Sequence, residues 1–189
     1  AQAELGREMT VRDDQHKFPA LLDAAKTCRS KGSRFRLIDT GKLSLAELEW
    51  LGEAGADIYT SDEARPKIEE LDLLARACSR GKAAVAYFHH GQIVKGSSEE
   101  ANSMAFLAEV GRQGIYLHIS NREKKRDWIV LVELASSYQR AGTWLVYYHY
   151  GPLGEGLGSL VKSGGWVHLS DRSLPTSEDV SFLSEMVKE

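Results

Sequence analysis

The chain has 189 residues and a net charge of −3 at pH 7, with 42% hydrophobic and 27% charged residues. That balance is ordinary for a soluble globular protein with a real core, and it supplies no basic field to recruit nucleic acid or an anionic membrane. No apolar run approaches the ~20 residues that span a bilayer and no charged-then-apolar leader opens the chain, so a cytoplasmic protein is expected, with Cys28 and Cys78 as reduced thiols.

Residues 1–17 are polar and weakly patterned, and read as an N-terminal extension with a short strand over 9–11. From residue 18 to residue 189 the pattern predicts a single α/β domain. "FPALLDAAKTCRSKG" predicts a helix with Pro19 in its first turn and Gly32 near its end, followed by the strand "RFRLID". "SLAELEWLGEAG" is a helix whose start is fixed by the capping-box spacing of Ser44 and Glu47. The strand "ADIYTS" and the helix over 66–81 follow, and "KAAVAYFHH" is the next strand. A helix over 98–114 leads to the strand "IYLHIS", and a helix capped by Asp127 leads to "TWLVYYHY". A glycine-rich stretch over 151–165, the strand "WVHLS" and a helix over 177–189 complete the chain.

This is a run of six strand–helix units behind one leading helix, and strict alternation implies a parallel sheet with right-handed crossovers. Two architectures carry such a sheet: a TIM-barrel-like fold, here short and therefore incomplete or distorted, and an open doubly wound Rossmann-like sheet. The strands "IYLHIS" and "WVHLS" favour the barrel. Alternation puts Ile115, Leu117 and Ile119 on one face and Tyr116, His118 and Ser120 on the other; Val167 and Leu169 likewise oppose Trp166, His168 and Ser170. An open sheet covered by helices on both sides would be aliphatic on both faces. By the same parity Tyr148 shares the row of Trp144 and Val146, and His149 points away.

Nearly every predicted strand ends in groups able to do chemistry, and in a barrel those ends converge on one site. Histidine serves as acid, base or metal ligand near neutral pH, and five of the six histidines fall at strand ends. His118, His168, Asp171 and Asp39 are the expected catalytic groups. His90, His118, His168 and Asp171 are the expected ligands of a divalent metal, Zn, Mn or Fe. Ser120, Asn121, Arg122, Ser170, Arg172 and Arg65 are the expected ligand-binding residues, the arginines because a guanidinium grips phosphate or carboxylate in bidentate fashion. The lysines of "NREKKR" read as a solvated loop, Ser97, Ser98, Thr176 and Ser177 as helix caps, and Asp62 as either a cap or a site group. The glycine-rich stretch reads as turns, or as a lid or phosphate loop. No motif ties the chain to a known family.

The function that follows is a barrel-type hydrolase or lyase, with or without a metal, acting on a small anionic molecule, phosphorylated or not, at the carboxyl ends of the strands. Nucleic acid and membrane are not expected partners. The second reading is a non-catalytic ligand-binding or scaffold domain that forms a homodimer or docks another chain through open sheet edges.

Overall fold

A computed structural model describes residues 3–95, 101–154 and 156–170. The strands are parallel and lie in one seven-stranded sheet in chain order, β1 to β7. A doubly wound sheet reverses its strand order at a switch point; unbroken sequential order is the winding of a TIM-type sheet. Contacts divide the chain into two compact units, 1–88 and 89–189.

The first unit runs β1 (Met9–Arg12), α1 (Phe18–Ser30), β2 (Phe35–Ile38), α2 (Leu45–Glu53), β3 (Ala56–Ser61), α3 (Ile68–Gly81) and β4 (Val85–His89). Residues 9–12 pair with 35–38, so the segment read as an extension supplies a strand, and the sheet gains a seventh member over the six expected. Register continues with Phe35 beside Ala56 and Ile58 beside Val85. Phe35, Leu37 and Ile58 are buried on one side of the pleat, while Arg36 and Tyr59 on the other are less covered. Each fully buried side chain of this size contributes roughly 1.5–3 kcal/mol relative to exposure.

The Ser44–Glu47 capping box forms: the Ser44 N–H donates to Glu47 Oε2 at 2.8 Å and the Glu47 N–H to Ser44 Oγ at 3.3 Å. On α3 the buried set Leu71, Leu74, Ala77, Cys78 and Gly81 keeps helical spacing. Helices α2 and α3 meet closely at two glycines: a Cβ on Gly81 would collide with the Gly52 carbonyl, and one on Gly52 would lie 2.8 Å from Cys78 Sγ. Burial pushes the Cys78 thiol up to about 12, so it remains a neutral packing group. Helix α3 begins at Ile68 rather than at Pro66, and Lys67 at its N-cap makes no side-chain cap. Asp62 therefore does not start it.

The second unit holds α4 (Met104–Arg112), β5 (Tyr116–Ser120), α5 (Trp128–Ala141), β6 (Leu145–His149), α6 (Gly156–Lys162) and β7 (Trp166–Leu169). The helix expected over 98–114 begins only at Met104, where the Ser103 hydroxyl accepts the Phe106 N–H at 3.0 Å. Residues 97 and 98, the expected caps, lie outside the described set. Asp127 caps α5 as expected, accepting the Ile129 N–H at 2.8 Å. Tyr138 of α5 reaches α4, its hydroxyl donating to the Leu107 carbonyl at 2.6 Å. The glycine-rich stretch folds into the seven-residue α6. The helix expected over 177–189, with the caps Thr176 and Ser177, is outside the described residues. Among the described residues no helix is long and apolar enough to cross a membrane.

Candidate functional site

The pleat of the second unit sorts its side chains as the alternation implies. Leu117, Ile119, Leu145 and Tyr147 are buried beneath the helices. Trp128 of α5 packs edge-on against Tyr147, with ring centroids 5.6 Å apart, and tilts over His149 at 6.2 Å. Burial pushes the Tyr147 hydroxyl up to about 12. The opposite face carries Tyr116, His118 and Ser120, then Trp144, Val146 and Tyr148, then Trp166 and His168. Its aromatics form two stacked rows. Toward the amino ends of the strands, Tyr116 stacks on Trp144 at 5.5 Å and Trp144 on Trp166 at 5.0 Å. Toward the carboxyl ends, His118 stacks on Tyr148 at 5.8 Å and Tyr148 on His168 at 5.0 Å.

This second row contains the two histidines that alternation singles out. Strand register sets His118 beside Val146 and Trp166, and Tyr148 beside Ser120 and His168. The two imidazoles are thus on one face but one rung apart, and Tyr148 spans the offset: its hydroxyl is 3.0 Å from His118 Nδ1. Burial, aided by repulsion from His168, pushes His118 down to about 4, so it is neutral at pH 7. His168 is exposed on β7. The row therefore joins a shielded, uncharged imidazole to a solvent-facing one through a phenol.

Past the ends of β5 and β6, the Asn121 side chain is engaged with the loop after β6. Its amide grips the Tyr150 backbone from both sides: Oδ1 accepts the Tyr150 N–H at 2.7 Å and Nδ2 donates to the Tyr150 carbonyl at 2.9 Å. The same Nδ2 is 3.4 Å from His149 Nδ1, while His149 Nε2 lies 2.9 Å from the Pro152 carbonyl. Because that carbonyl can only accept, His149 carries its proton on Nε2 and offers Nδ1 to Asn121. The clasp fixes the loop after β6 and leaves His149 on the helix side, as parity implied. Arg122 is exposed with Cζ 5.9 Å from the centre of the Tyr150 ring, and its N–H donates to Ser120 Oγ at 2.9 Å. The Ser170 N–H donates to the His149 carbonyl at 3.1 Å.

Arg126 was not singled out by the sequence, yet it is the most enclosed cation of this region, at 7% exposure. Its guanidinium donates to the carbonyl of Ser120 at 2.8 Å, to that of Gly91, and at 3.4 Å to those of His89 and His90. It ties the segment after β4 to the end of β5. His90 itself is exposed. Among the described residues no group of three or more His, Cys, Asp or Glu side chains is placed to share a metal ion. Asp171 and Arg172 lie outside those residues.

Within the first unit, Asp39 and Arg65 are brought together. The Asp39 carboxylate accepts Arg65 Nε at 2.9 Å and Nη2 at 3.2 Å, the Thr60 hydroxyl at 2.7 Å and the Gly41 N–H at 2.9 Å. Arg65 Nη2 also donates to the Leu43 carbonyl at 2.6 Å. Both residues are buried. Asp13, fully buried just past β1, anchors the same loop by accepting the N–H groups of Thr40, Lys42 and Leu43 and the Thr40 hydroxyl. These are satisfied carboxylates that shape the β2–α2 connection. Asp13 gave no signal in sequence, since "RDDQHK" is as polar as any solvated loop.

Comparison with known proteins reaches the fold. No protein-family model matches the chain, and no curated protein sequence does. Among solved structures, the chain is similar to 3-keto-L-gulonate-6-phosphate decarboxylase from Vibrio cholerae, at 12% identity and TM-score 0.51 over 96% of this chain and 85% of that one. It is also similar to N-isopropylammelide isopropylaminohydrolase from Burkholderia multivorans, at 15% identity and TM-score 0.53, over 98% of this chain but only 55% of that longer one. Deoxyribose phosphate aldolase from Aeropyrum pernix aligns at 13% identity and TM-score 0.46 over 96% and 92% of the two chains. With the sequential parallel sheet, the first two likenesses show that the chain has a TIM-barrel-like α/β fold.

Proposed function

We propose that the chain is a lyase-type barrel enzyme acting on a small, phosphorylated anionic substrate, with its chemistry at the carboxyl ends of β5, β6 and β7. The observation that carries this reading is the hydrogen bond between the Tyr148 hydroxyl and His118 Nδ1, on a ring that also stacks against His168. Retro-aldol cleavage of a carbon–carbon bond beside a carbonyl needs a base to take the hydroxyl proton and an acid to protonate the enolate, while decarboxylation needs the acid alone. His118, uncharged at neutral pH, accepts the proton, Tyr148 holds its imidazole through the hydroxyl, and the exposed His168 on the same face is the acid that returns a proton to the substrate. Arg122, beside the same strand end, faces the anionic part of the substrate. The fold's active-site habit supports this placement, as does the likeness to an enzyme named for decarboxylating a sugar-acid phosphate.

Hydrolysis by the same row is the second reading, supported by the likeness to an aminohydrolase. Neither reading routes a step through a metal. A scaffold role draws on the exposure of Trp166 on β7, at 53%. Cytoplasmic residence is part of the proposal, since Cys28 and Cys78 are buried free thiols.

The test is turnover of a panel of phosphorylated ketoses, aldoses and keto acids, followed by NMR of the carbon skeleton, with wild type, His118→Gln and Tyr148→Phe. Cleavage by wild type and a loss of ~10²–10⁴ in rate in His118→Gln is the expected result. Cleavage that both variants sustain at the wild-type rate, or no turnover of any panel member, defeats the proposal.

A further inference from the structure

The lysines of the β5–α5 connection read in sequence as a solvated loop, but the structure gives them a concave setting. Gln92, Lys124, Lys125, Arg126 and Asp127 line an open cleft of about 600 Å³. Its wall is built on a rigid part. The Arg126 guanidinium, buried and bonded to main-chain carbonyls on both sides, holds Gly91 next to the end of β5 and adds a fixed positive charge behind the two lysines. The N-terminus of the fourteen-residue α5 adjoins the cleft, and its dipole favours negative charge there. The opposing charges are accounted for. Asp127, the one carboxylate of the lining, is turned to the helix by the Ile129 N–H and lies 3.6 Å from Lys95 Nζ. Glu123 is exposed and does not line the cleft.

We propose that this cleft is a binding site for a phosphate-type dianion, held by Lys124 and Lys125 against the Arg126 charge and the start of α5. The chemistry favours a compact, doubly charged oxyanion. Two flexible ammonium groups act as point charges that impose no planar geometry on the anion, whereas a carboxylate is better matched by a free guanidinium fork, and that of Arg126 is committed to carbonyls. The site deepens the function proposed above: it grips the phosphate of the substrate from the loop that follows the His118 strand.

The experiment is a titration of the isotope-labelled whole chain with inorganic phosphate, read from backbone amide shifts over residues 124–130, with sodium chloride at matched ionic strength as the control. Saturable shifts with phosphate and not with chloride are expected. In the double variant Lys124→Gln, Lys125→Gln the dissociation constant should rise at least about tenfold, while Lys124→Arg, Lys125→Arg should retain binding. Both lysines are exposed, and unchanged shifts elsewhere report that the variant stays folded. Equal response to chloride, no response in wild type, or undiminished affinity in the glutamine variant overturns the proposal. The two readings separate on His118→Gln: it should bind phosphate as wild type does whether or not it has lost turnover.

Discussion

The Tyr148 hydroxyl stands 3.0 Å from His118 Nδ1, joining strands β5 and β6 on the face away from the helices. Tyr148→Phe keeps the ring, and so the stack on His168, but deletes the bond. It should cost about 0.5–1.5 kcal/mol of stability. If the row is the acid–base machinery, turnover should fall by roughly 10²-fold or more. Denaturant midpoints and kcat measured on the same preparation separate the two effects.

His118 also sets a pH dependence. Its folded value is pushed down from 6.5 to about 4 by burial and then by His168. Between those two values the unfolded chain binds the extra proton, so stability should fall as pH drops from about 6.5 to about 4 and level off below. The contribution is at most about 3.5 kcal/mol, since one pKa unit corresponds to about 1.4 kcal/mol. His118→Gln should flatten that limb of the curve, as urea unfolding at a series of pH values would show. An unchanged slope would mean that His118 is not shielded.

Asp39 and Arg65 form a buried pair in which breaking one side is costly. Asp39→Ala leaves the guanidinium, with 10% of its side chain exposed, facing an empty space, and should destabilise by about 3–5 kcal/mol. Adding Arg65→Met should recover a large part of that loss. Equilibrium unfolding of the two single variants and the double variant gives the coupling directly.

The contact of α2 with α3 leaves no room for a side chain at Gly81, where a Cβ meets the Gly52 carbonyl. Gly81→Ala should lower stability by about 1–3 kcal/mol through forced separation of the helices, although alanine is otherwise the better helix former. A thermal midpoint at or above wild type would show that the helices slide apart without cost.

Face assignment was legible because a pleat alternates whatever surrounds it: the inward parity of Tyr148 and the outward parity of His149 both follow from counting. Lateral register was not legible. It depends on how each crossover delivers its strand, so nothing in the sequence could set His118 one rung from His168 with Tyr148 between them. Short polar signals say little about partners. Asp39 and Arg65 read as site groups because they follow strands, and that they pair with each other is a three-dimensional fact. Asp13 and Arg126 were not singled out, since burial of a charged residue shows only when its partners are known. Helix starts were read correctly where the cap is unambiguous, at Ser44 and Asp127, and wrongly where several serines compete, as before Met104.

The indole pair of Trp144 and Trp166 has an optical consequence. The two rings are 5.0 Å apart and inclined by 29°, one at the head of β6 and one opening β7. Transition dipoles that close exchange excitation, and chromophores held at a fixed skew give a signed couplet in circular dichroism. Since the rings are 44% and 53% exposed, neutral quenchers also reach their fluorescence. Docking of the last strand can thus be timed by spectroscopy with no added label, with Trp166→Phe as the blank.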